Sequence, residues 1–469
     1  MIDEWAPQPG VLIEITPTDD AVRRMLDAPV STVKPTAVQR FHLRHSYAER
    51  QRGNVPAAMC VRAFIVAGPL DEAALQRAAE TFVRRHETLR SWFRPDSLAG
   101  TGFVRHLADD GPIGLRIADR VRYTRSADLR EAVTRVVDAH AGRLHGVNTA
   151  RWPAFFVCAV DHGTDCTVIF GVDHVNSDGN SLDQAIYELT TAYEAYRAGT
   201  VPELAEPGSF VEFARVEQDS LEAADTDIAA VRDLVAAMRR HPNGYPQPPI
   251  EFGLSGAETA PGTLSRTTLL DGTGAANFES RCHSSGAGFG AALFAALALT
   301  EAALDGRRIH EWLSLRSTRL EPRFATAQGW FVNIAPTRIE RDEGDGFNEL
   351  AAAAAAAVRA THVLGAIPML DLLATDPGGI PPITPMVSYL DLRRLPSASL
   401  PNLHAHHSFR FRRPMGRSTQ TWFDRHADRV EVTMQHPDTP IARTTAARYL
   451  ATLRETMTAI AQPHVMEVR

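Results

Sequence analysis

The sequence predicts an α/β protein made of two sandwiches of similar build, and three observations carry that expectation. Strand-like apolar runs interleave with amphipathic helices in both halves of the chain. The stretch "TVPELAEPGS", rich in proline and acids, reads as a linker between those halves. The chain has 469 residues, too many for one ordinary core, since the usual size rule gives roughly two or three domains of about 150 residues. The expected division is an N-terminal lobe at 1–200, a linker at 201–208 and a C-terminal lobe at 209–469.

In the first half, "PLDEAALQRAAETFVRRHETLRSWF" places Leu75, Ala78, Ala79, Phe82 and Val83 on one helical face and then turns extended. "RWPAFFVCAVDHGTDCTVIFGVDHVNSDG" reads as a hairpin, with strands near 154–160 and 166–173 around the turn-prone "DHGTD". "NSLDQAIYELTTAYEAYRAG" predicts a helix with Leu182, Ile186, Leu189 and Tyr193 inward, an S-x-x-Q cap at Ser181 and Gln184, and Gly199 at its end. The second half repeats the pattern: a strand in "LSRTTLL", helices from about 274 and from about 289 to 304, and the extended "GWFVNIAPTRIE". An alanine-rich helix at 348–363, the strand "PMVSYLDL", a hairpin around "WFDRHADRVEVTM" and a last helix from about 441 complete it. "HPNGYPQPPIEFGLSGAETAPG" is expected as an irregular surface loop, and no short-period repeat is present.

Composition narrows the function. A hydrophobic share of 44% beside 22% charged residues is that of a globular protein. A net charge of -7 without a dense Lys/Arg tract disfavours a nucleic-acid surface. Lys34 is the single lysine, which disfavours a lysine Schiff base. Cys60, Cys158, Cys166 and Cys282 have neither C-x-x-C spacing nor scaffold density, so reduced, mostly buried thiols are expected. The N-terminus carries acids and prolines where a signal peptide needs a basic start and an apolar centre, and no window reaches eighteen uninterrupted apolar residues. A cytoplasmic protein without a membrane span is expected.

The segment "GVDHVNSDGNS" at 171–181 is the candidate for chemistry. Neighbouring strand residues face opposite ways, so Asp173 and His174 cannot both enter one pocket while the strand stays regular. His174 stands where the strand ends, the place at which α/β layers open their clefts. Histidine suits proton transfer near neutral pH, its ordinary pKa being about 6.5. Asp178 can orient the ring or pin the turn through an arginine from elsewhere, and Gly179 can supply an unusual backbone angle. Two plainer readings stand beside this one. His174 can be a satisfied structural residue, or Asp173, His174 and Asp178 can be metal ligands, though no further ligand cluster with recognisable spacing accompanies them and no metal is expected. There is no G-x-S-x-G elbow, and "GAGFG" at 286–290 lacks the spacing and lysine of a phosphate loop.

Taken with other blocks, the segment resembles the H-H-x-x-x-D-G signature of the condensation-domain superfamily, which includes condensation domains of non-ribosomal peptide synthetases and the polyketide-associated acyltransferases. "PTAVQRFHL" at 35–43, "RRHETLRSWF" at 84–93, "SFVEFARVEQ" at 209–218 and "GWFVNIAPTRI" at 329–339 resemble further family blocks in family order. The resemblance implies two chloramphenicol-acetyltransferase-like α/β sandwich lobes in a V-shaped arrangement, with a tunnel between them. It implies no permanently bound cofactor. The donor would be an acyl thioester on the phosphopantetheine arm of an acyl or peptidyl carrier protein or of coenzyme A, and the acceptor a small-molecule alcohol or amine.

Within that frame His174 is the expected general base and Asp178 the member of a shaping ion pair. Arg266 is its expected partner, with Arg338 as runner-up. Asn333 and Trp330 would line the tunnel, Asn333 alternatively closing a turn. Glu87 and Arg90 fit internal ion pairs better than catalysis. The family's first histidine is replaced here by Asp173, a change expected to affect support more than chemistry. The chain is expected to be free-standing, since no carrier or adenylation domain flanks it, and "WAPQPG" with "VSYLDLRRLP" resembles the acyltransferases that favour hydroxyl acceptors. Ester formation in natural-product or lipid biosynthesis is therefore the leading expectation. Amide formation or a catalytically silent recruitment domain are the alternatives.

Overall fold

The computed structural model describes residues 5–462, apart from 54–58, 98–101, 145–151, 224–227, 242–244, 257, 366, 375–382, 402 and 410–413. The chain divides into two compact units. The first contains 1–219, 319–332 and 395–411; the second contains 220–318, 333–394 and 412–469. The single boundary expected at 201–208 is thus too simple, because two segments of the second half return to the first unit. One is drawn back by hydrogen bonds to the 174–181 segment, and the other by strand pairing of Leu403–Phe409 with Met59–Ala67. Such long-range pairing leaves no mark in local composition.

The first unit is built on a six-stranded sheet in the order 403–409, 59–67, 165–173, 155–161, 10–17, 115–123, with antiparallel neighbours throughout. Its central strands read as continuous apolar runs because both faces are covered. Phe155, Val157 and Ala159 pack into one cluster with the helices Glu72–Arg85 and Gly179–Arg197, while Phe156, Cys158 and Val160 pack into another with Ser126–Leu144. Gly171, opposite Phe156 in the register, is needed because a Cβ there would meet the Phe156 ring at 2.0 Å. The expected hairpin is present as Phe155–Asp161 and Asp165–Asp173.

In the second unit a seven-stranded sheet runs in the order 332–340, 309–317, 386–391, 420–425, 429–437, 260–271, 414–415. Met386–Asp391 pairs parallel with strands on both sides, and the pairs from 420–425 onward are antiparallel. The helices Gly272–Ser284, Phe289–Asp305, Phe347–Ala360 and Pro440–Ala461 share one core with this sheet. Phe289–Asp305 is apolar almost all round because it lies inside that core. Among the described residues no single helix is long and apolar enough to cross a membrane. The expected irregular loop at 241–262 is irregular up to the strand Ala260–Asp271, with 242–244 and 257 outside the described residues.

Candidate active site

His174 opens a short 3-10 turn, His174–Asn176, at the end of the strand Asp165–Asp173. Its Nδ1 lies 2.8 Å from the carbonyl oxygen of Ser177. A carbonyl only accepts, so Nδ1 carries a proton, and whenever the ring is neutral Nε2 holds the lone pair. The ring stacks on Trp330, with centroids 3.9 Å apart and planes at 26°. Trp330 belongs to the returning segment 319–332, so this contact lies within the first unit.

The turn is held residue by residue. Asp173 Oδ1 accepts from Val175 N–H at 2.8 Å. Gln39, fully buried on the helix Ala37–Gln51, donates through Nε2 to the Val175 carbonyl at 2.7 Å and accepts from Arg105 at 2.8 Å. Gln328 donates to the Asn176 carbonyl at 3.2 Å and to Ser177 Oγ at 2.9 Å. Beyond the local cap from Asp173, the anchors Gln39 and Gln328 come from distant parts of the chain, which is how a loop acquires one geometry.

Asp178 caps the helix Gly179–Arg197, its Oδ1 accepting from Ser181 N–H at 2.7 Å. The other carboxylate oxygen accepts from Phe331 N–H at 2.8 Å. Its ion-pair partner is Arg319, at 3.4 Å. Arg319 also donates to Ser181 Oγ at 2.5 Å and to the carbonyls of Phe324 and Ala327, and its guanidinium lies 4.0 Å over the Phe331 ring. Burial lowers the Arg319 pKa from its ordinary value, an effect that the Asp178 charge opposes. The helix therefore starts on Asp178 rather than on the expected Ser181 pattern, and Ser181 instead donates to the Gly329 carbonyl at 2.6 Å.

Two neighbours of His174 went unseen in the sequence. His42, from the block "PTAVQRFHL", places Nε2 3.2 Å from Asp173 Oδ1, and its ring centroid is 6.2 Å from that of His174 and 5.5 Å from that of Trp330. Cys60 pairs across the sheet with Val172, two residues before His174, so its sulfur faces the same side and hydrogen-bonds the imidazole. Burial disfavours the imidazolium, but the Cys60 sulfur and the backbone acceptors outweigh it and raise His174 to about 9. The other three cysteines are buried, and burial pushes Cys166 up to about 11 and Cys282 to about 12. A signal for His42 was available in principle: a helical residue three positions after Gln39 faces the same way.

Several expected site residues are placed elsewhere. The role assigned to Arg266 falls to Arg319; Arg266 sits on the strand Ala260–Asp271 and donates to Thr433 Oγ1 at 3.3 Å. Arg338 pairs with Glu311 at 3.6 Å. Asn333 uses all its polar capacity in the second unit: Nδ2 donates to the carbonyls of Leu364 and Ile367, and Oδ1 accepts from Ile334 and Met369 N–H groups. It lies on the strand Val332–Glu340, ties the 364–369 backbone to it and has nothing left for a ligand. Gly179 begins the helix and is not among the residues with positive φ, so the special angle expected of it is not used. Glu87 accepts from Ser209 Oγ at 2.7 Å and Val211 N–H at 3.1 Å, and Arg90 donates to the Arg84 and Ala108 carbonyls. Both are structural, through hydrogen bonds rather than the expected ion pairs. Among the described residues no group of three or more His, Cys, Asp or Glu side chains forms a metal-holding cluster.

No protein-family model matches the chain. Its sequence is 26% identical over 471 residues to the 2'-acyl-2-O-sulfo-trehalose (hydroxy)phthioceranyltransferase PapA1 of Mycobacterium bovis (strain BCG / Pasteur 1173P2), covering 98% of this chain and 88% of that protein. It is also 26% identical over 460 residues to the trehalose-2-sulfate acyltransferase PapA2 of Mycobacterium tuberculosis (strain ATCC 25177 / H37Ra), covering 96% and 94%. Among solved structures, a PapA2 acyl transferase superposes with a TM-score of 0.85 at 24% identity over 99% of both chains. The first condensation domain of the CDA synthetase gives 0.68 at 17% identity, covering 93% of this chain and 97% of that one. The chain thus has the condensation-domain fold, the fold that the free-standing PapA acyltransferases share with the condensation domains of peptide synthetases.

Proposed function

We propose that this protein is an acyltransferase that moves an acyl group from a phosphopantetheine thioester, on a carrier protein or coenzyme A, to a hydroxyl, forming an ester in lipid biosynthesis. The observation that carries the reading is the tautomer of His174, whose Nδ1–H is committed to the Ser177 carbonyl so that Nε2 can accept a proton. Similarity along nearly the whole chain to acyltransferases whose names place the acyl group on a sulfated trehalose supports a sugar-type hydroxyl over an amine.

In this mechanism neutral His174 takes the proton of the acceptor hydroxyl as its oxygen attacks the thioester carbonyl. Collapse breaks the C–S bond, and the proton passes to the departing thiolate. A positioned base of this kind contributes roughly 10² to 10⁴ in rate. Trp330 fixes the ring plane by stacking, and Asp178 with Arg319 fixes the turn that carries it. No resident cofactor is needed, because the phosphopantetheine arm arrives and leaves with the donor. The acyl chain has a candidate seat in the second unit, an apolar pocket lined by Met238, Leu313, Ile334, Met369 and Leu373 among others, with Arg239 as its one charged lining residue among the described residues.

The test is thiol release from an acyl-coenzyme A in the presence of a sugar acceptor, with intact-mass detection of the ester. His174→Ala should lose roughly 10²- to 10⁴-fold in turnover while melting as the wild type does. Unchanged turnover in that variant would remove the mechanism.

A further inference from the structure

Buried arginines in this molecule are met by partners. Arg319 faces Asp178 at 3.4 Å, Arg425 meets Glu279 at 2.7 Å, and Arg105 donates to Gln39 at 2.8 Å. Arg316 differs. It lies on the strand Ile309–Ser317 of the second unit, three positions before Arg319 in the chain. Its Nε and Nη2 are buried and make no hydrogen bond, and among the described residues no carboxylate comes within ion-pair distance of it. Burial alone lowers its pKa from the ordinary arginine value, with no opposing charge nearby. A guanidinium partly withdrawn from water with no opposing charge is costly, and a ligand that supplies the missing charge offsets that cost.

A second unmet donor follows two residues on, just past the end of the strand. Thr318 is buried and has a side-chain hydroxyl that makes no hydrogen bond. In extended backbone, residues i and i+2 face the same side and stand roughly 7 Å apart. Ser314, which completes the same row, is already used, donating to the Ala335 carbonyl at 3.0 Å. The row therefore offers a planar fork of N–H donors and one hydroxyl, which suits an anion with several oxygens on one centre.

We propose that Arg316, with the hydroxyl of Thr318, binds a tetrahedral oxyanion ester, a phosphate or a sulfate, carried by one of the two substrates. Oxyanion binding stands on the side chains alone; its assignment to a substrate rests on the acyl-transfer reading above. The phosphate source is the phosphopantetheine donor, and the sulfate or phosphate source is a charged acceptor.

The first experiment needs no turnover. The full chain is melted in sodium sulfate, sodium phosphate and sodium chloride at matched ionic strength. The wild type should gain a saturable rise in Tm specific to sulfate or phosphate. Arg316→Gln should lose that rise while melting at or above the wild type without the anion, since it removes an uncompensated charge. Arg316→Lys, which keeps the charge and loses the fork, should weaken the apparent affinity roughly tenfold or more. An anion-specific rise unchanged in both variants, or absent from the wild type, overturns the site. The second experiment finds the source. If Arg316→Gln raises KM roughly tenfold or more for an acyl-coenzyme A but not for the same acyl group on N-acetylcysteamine, the donor phosphate is bound. If it raises KM for a sulfated sugar and not for its unsulfated counterpart, the acceptor is bound. A KM that moves in neither comparison overturns the assignment to a substrate, and absence of any turnover sinks the acyl-transfer reading while leaving the anion titration to decide the site.

Discussion

The imidazole Nε2 of His42 lies 3.2 Å from Oδ1 of Asp173, and that same oxygen accepts the Val175 N–H that starts the turn carrying His174. The residue standing where the superfamily has its first histidine is therefore an acid that faces a histidine from another element. Asp173 is 1% exposed, so the pair is shielded from solvent and its geometry is fixed by the strand on one side and the helix Ala37–Gln51 on the other.

Two variants separate the roles of Asp173. Asp173→Asn keeps an oxygen for the Val175 N–H and loses the charge facing His42, whereas Asp173→Ala loses both. Leaving a buried donor unmet costs about 1–3 kcal/mol, so the alanine variant should be less stable than the asparagine variant by about that amount in urea melts. With His174 as the proposed base, both should lower turnover, because a shift of about 1 Å in a base costs up to about 10² in rate. Equal stability of the two would show that the cap to Val175 contributes nothing.

Cys60 sets the pH range. His174 is raised from 6.5 to about 9, with burial lowering it and the Cys60 sulfur leading the groups that raise it. If His174 is the base, as proposed, it must be neutral to work, so kcat/KM should climb about tenfold per pH unit from neutrality and level off near 9. In Cys60→Ala the sulfur is gone and the burial effect remains, so the limb should move to lower pH. The stability linkage has a definite sign: a raised folded pKa favours the protonated native state, so this contribution is whole below 6.5 and is lost as pH rises through about 9. Chemical denaturation between those values should show a steeper loss in the wild type than in Cys60→Ala. A pH-rate limb unchanged by the substitution would rule out the sulfur as the cause.

How far the sequence could be read depended on whether the interaction was local. The hairpin that ends at Asp173 and the helix Gly179–Arg197 were legible because period-2 and period-3.6 patterns are written in neighbouring residues. His174 was legible because a motif and a strand end coincide. Arg319 was not, since one arginine among 49 basic residues carries no local sign that Asp178, 141 positions away, is its partner. Position along a strand pointed to Arg266 instead. Cys60 and His42 were hidden for the same reason, each meeting the motif through register or packing that only the folded sheet and helix create. Asn333 was legible as a polar residue in a family block, but its saturation by the backbone at 364–369 was not.

Arg319 and Arg266 should respond oppositely to alanine. Breaking a buried pair by removing one partner costs about 3–5 kcal/mol, and Arg319 also holds the Phe324 and Ala327 carbonyls. Arg319→Ala should therefore unfold at markedly lower urea and lose activity with it. Arg266→Ala, giving up one 3.3 Å contact to Thr433, should stay within about 0.5 kcal/mol of the wild type and retain activity. Loss of activity in a folded Arg266→Ala would return that residue to the site.

If the apolar pocket in the second unit is the proposed acyl seat, it sets the chain length the enzyme accepts. Each buried methylene contributes about 0.8 kcal/mol, close to fourfold in binding. With acyl-coenzyme A donors of rising length, kcat/KM should increase by about that factor per carbon and then level off once the chain outgrows the pocket. Leu373 and Met369 line this space from one short helix, Met369–Ala374. Leu373→Trp places an indole where the end of the chain would lie, so the plateau should come at a shorter chain, with short donors turned over as before. Leu373→Ala enlarges the space and should extend the plateau to longer chains, at a stability cost of about 2–5 kcal/mol for a buried leucine. Opposite shifts from the two substitutions identify the cavity as the acyl seat, because a general loss of stability would lower the rate for every donor alike. Profiles that keep the wild-type shape in both variants would place the chain elsewhere.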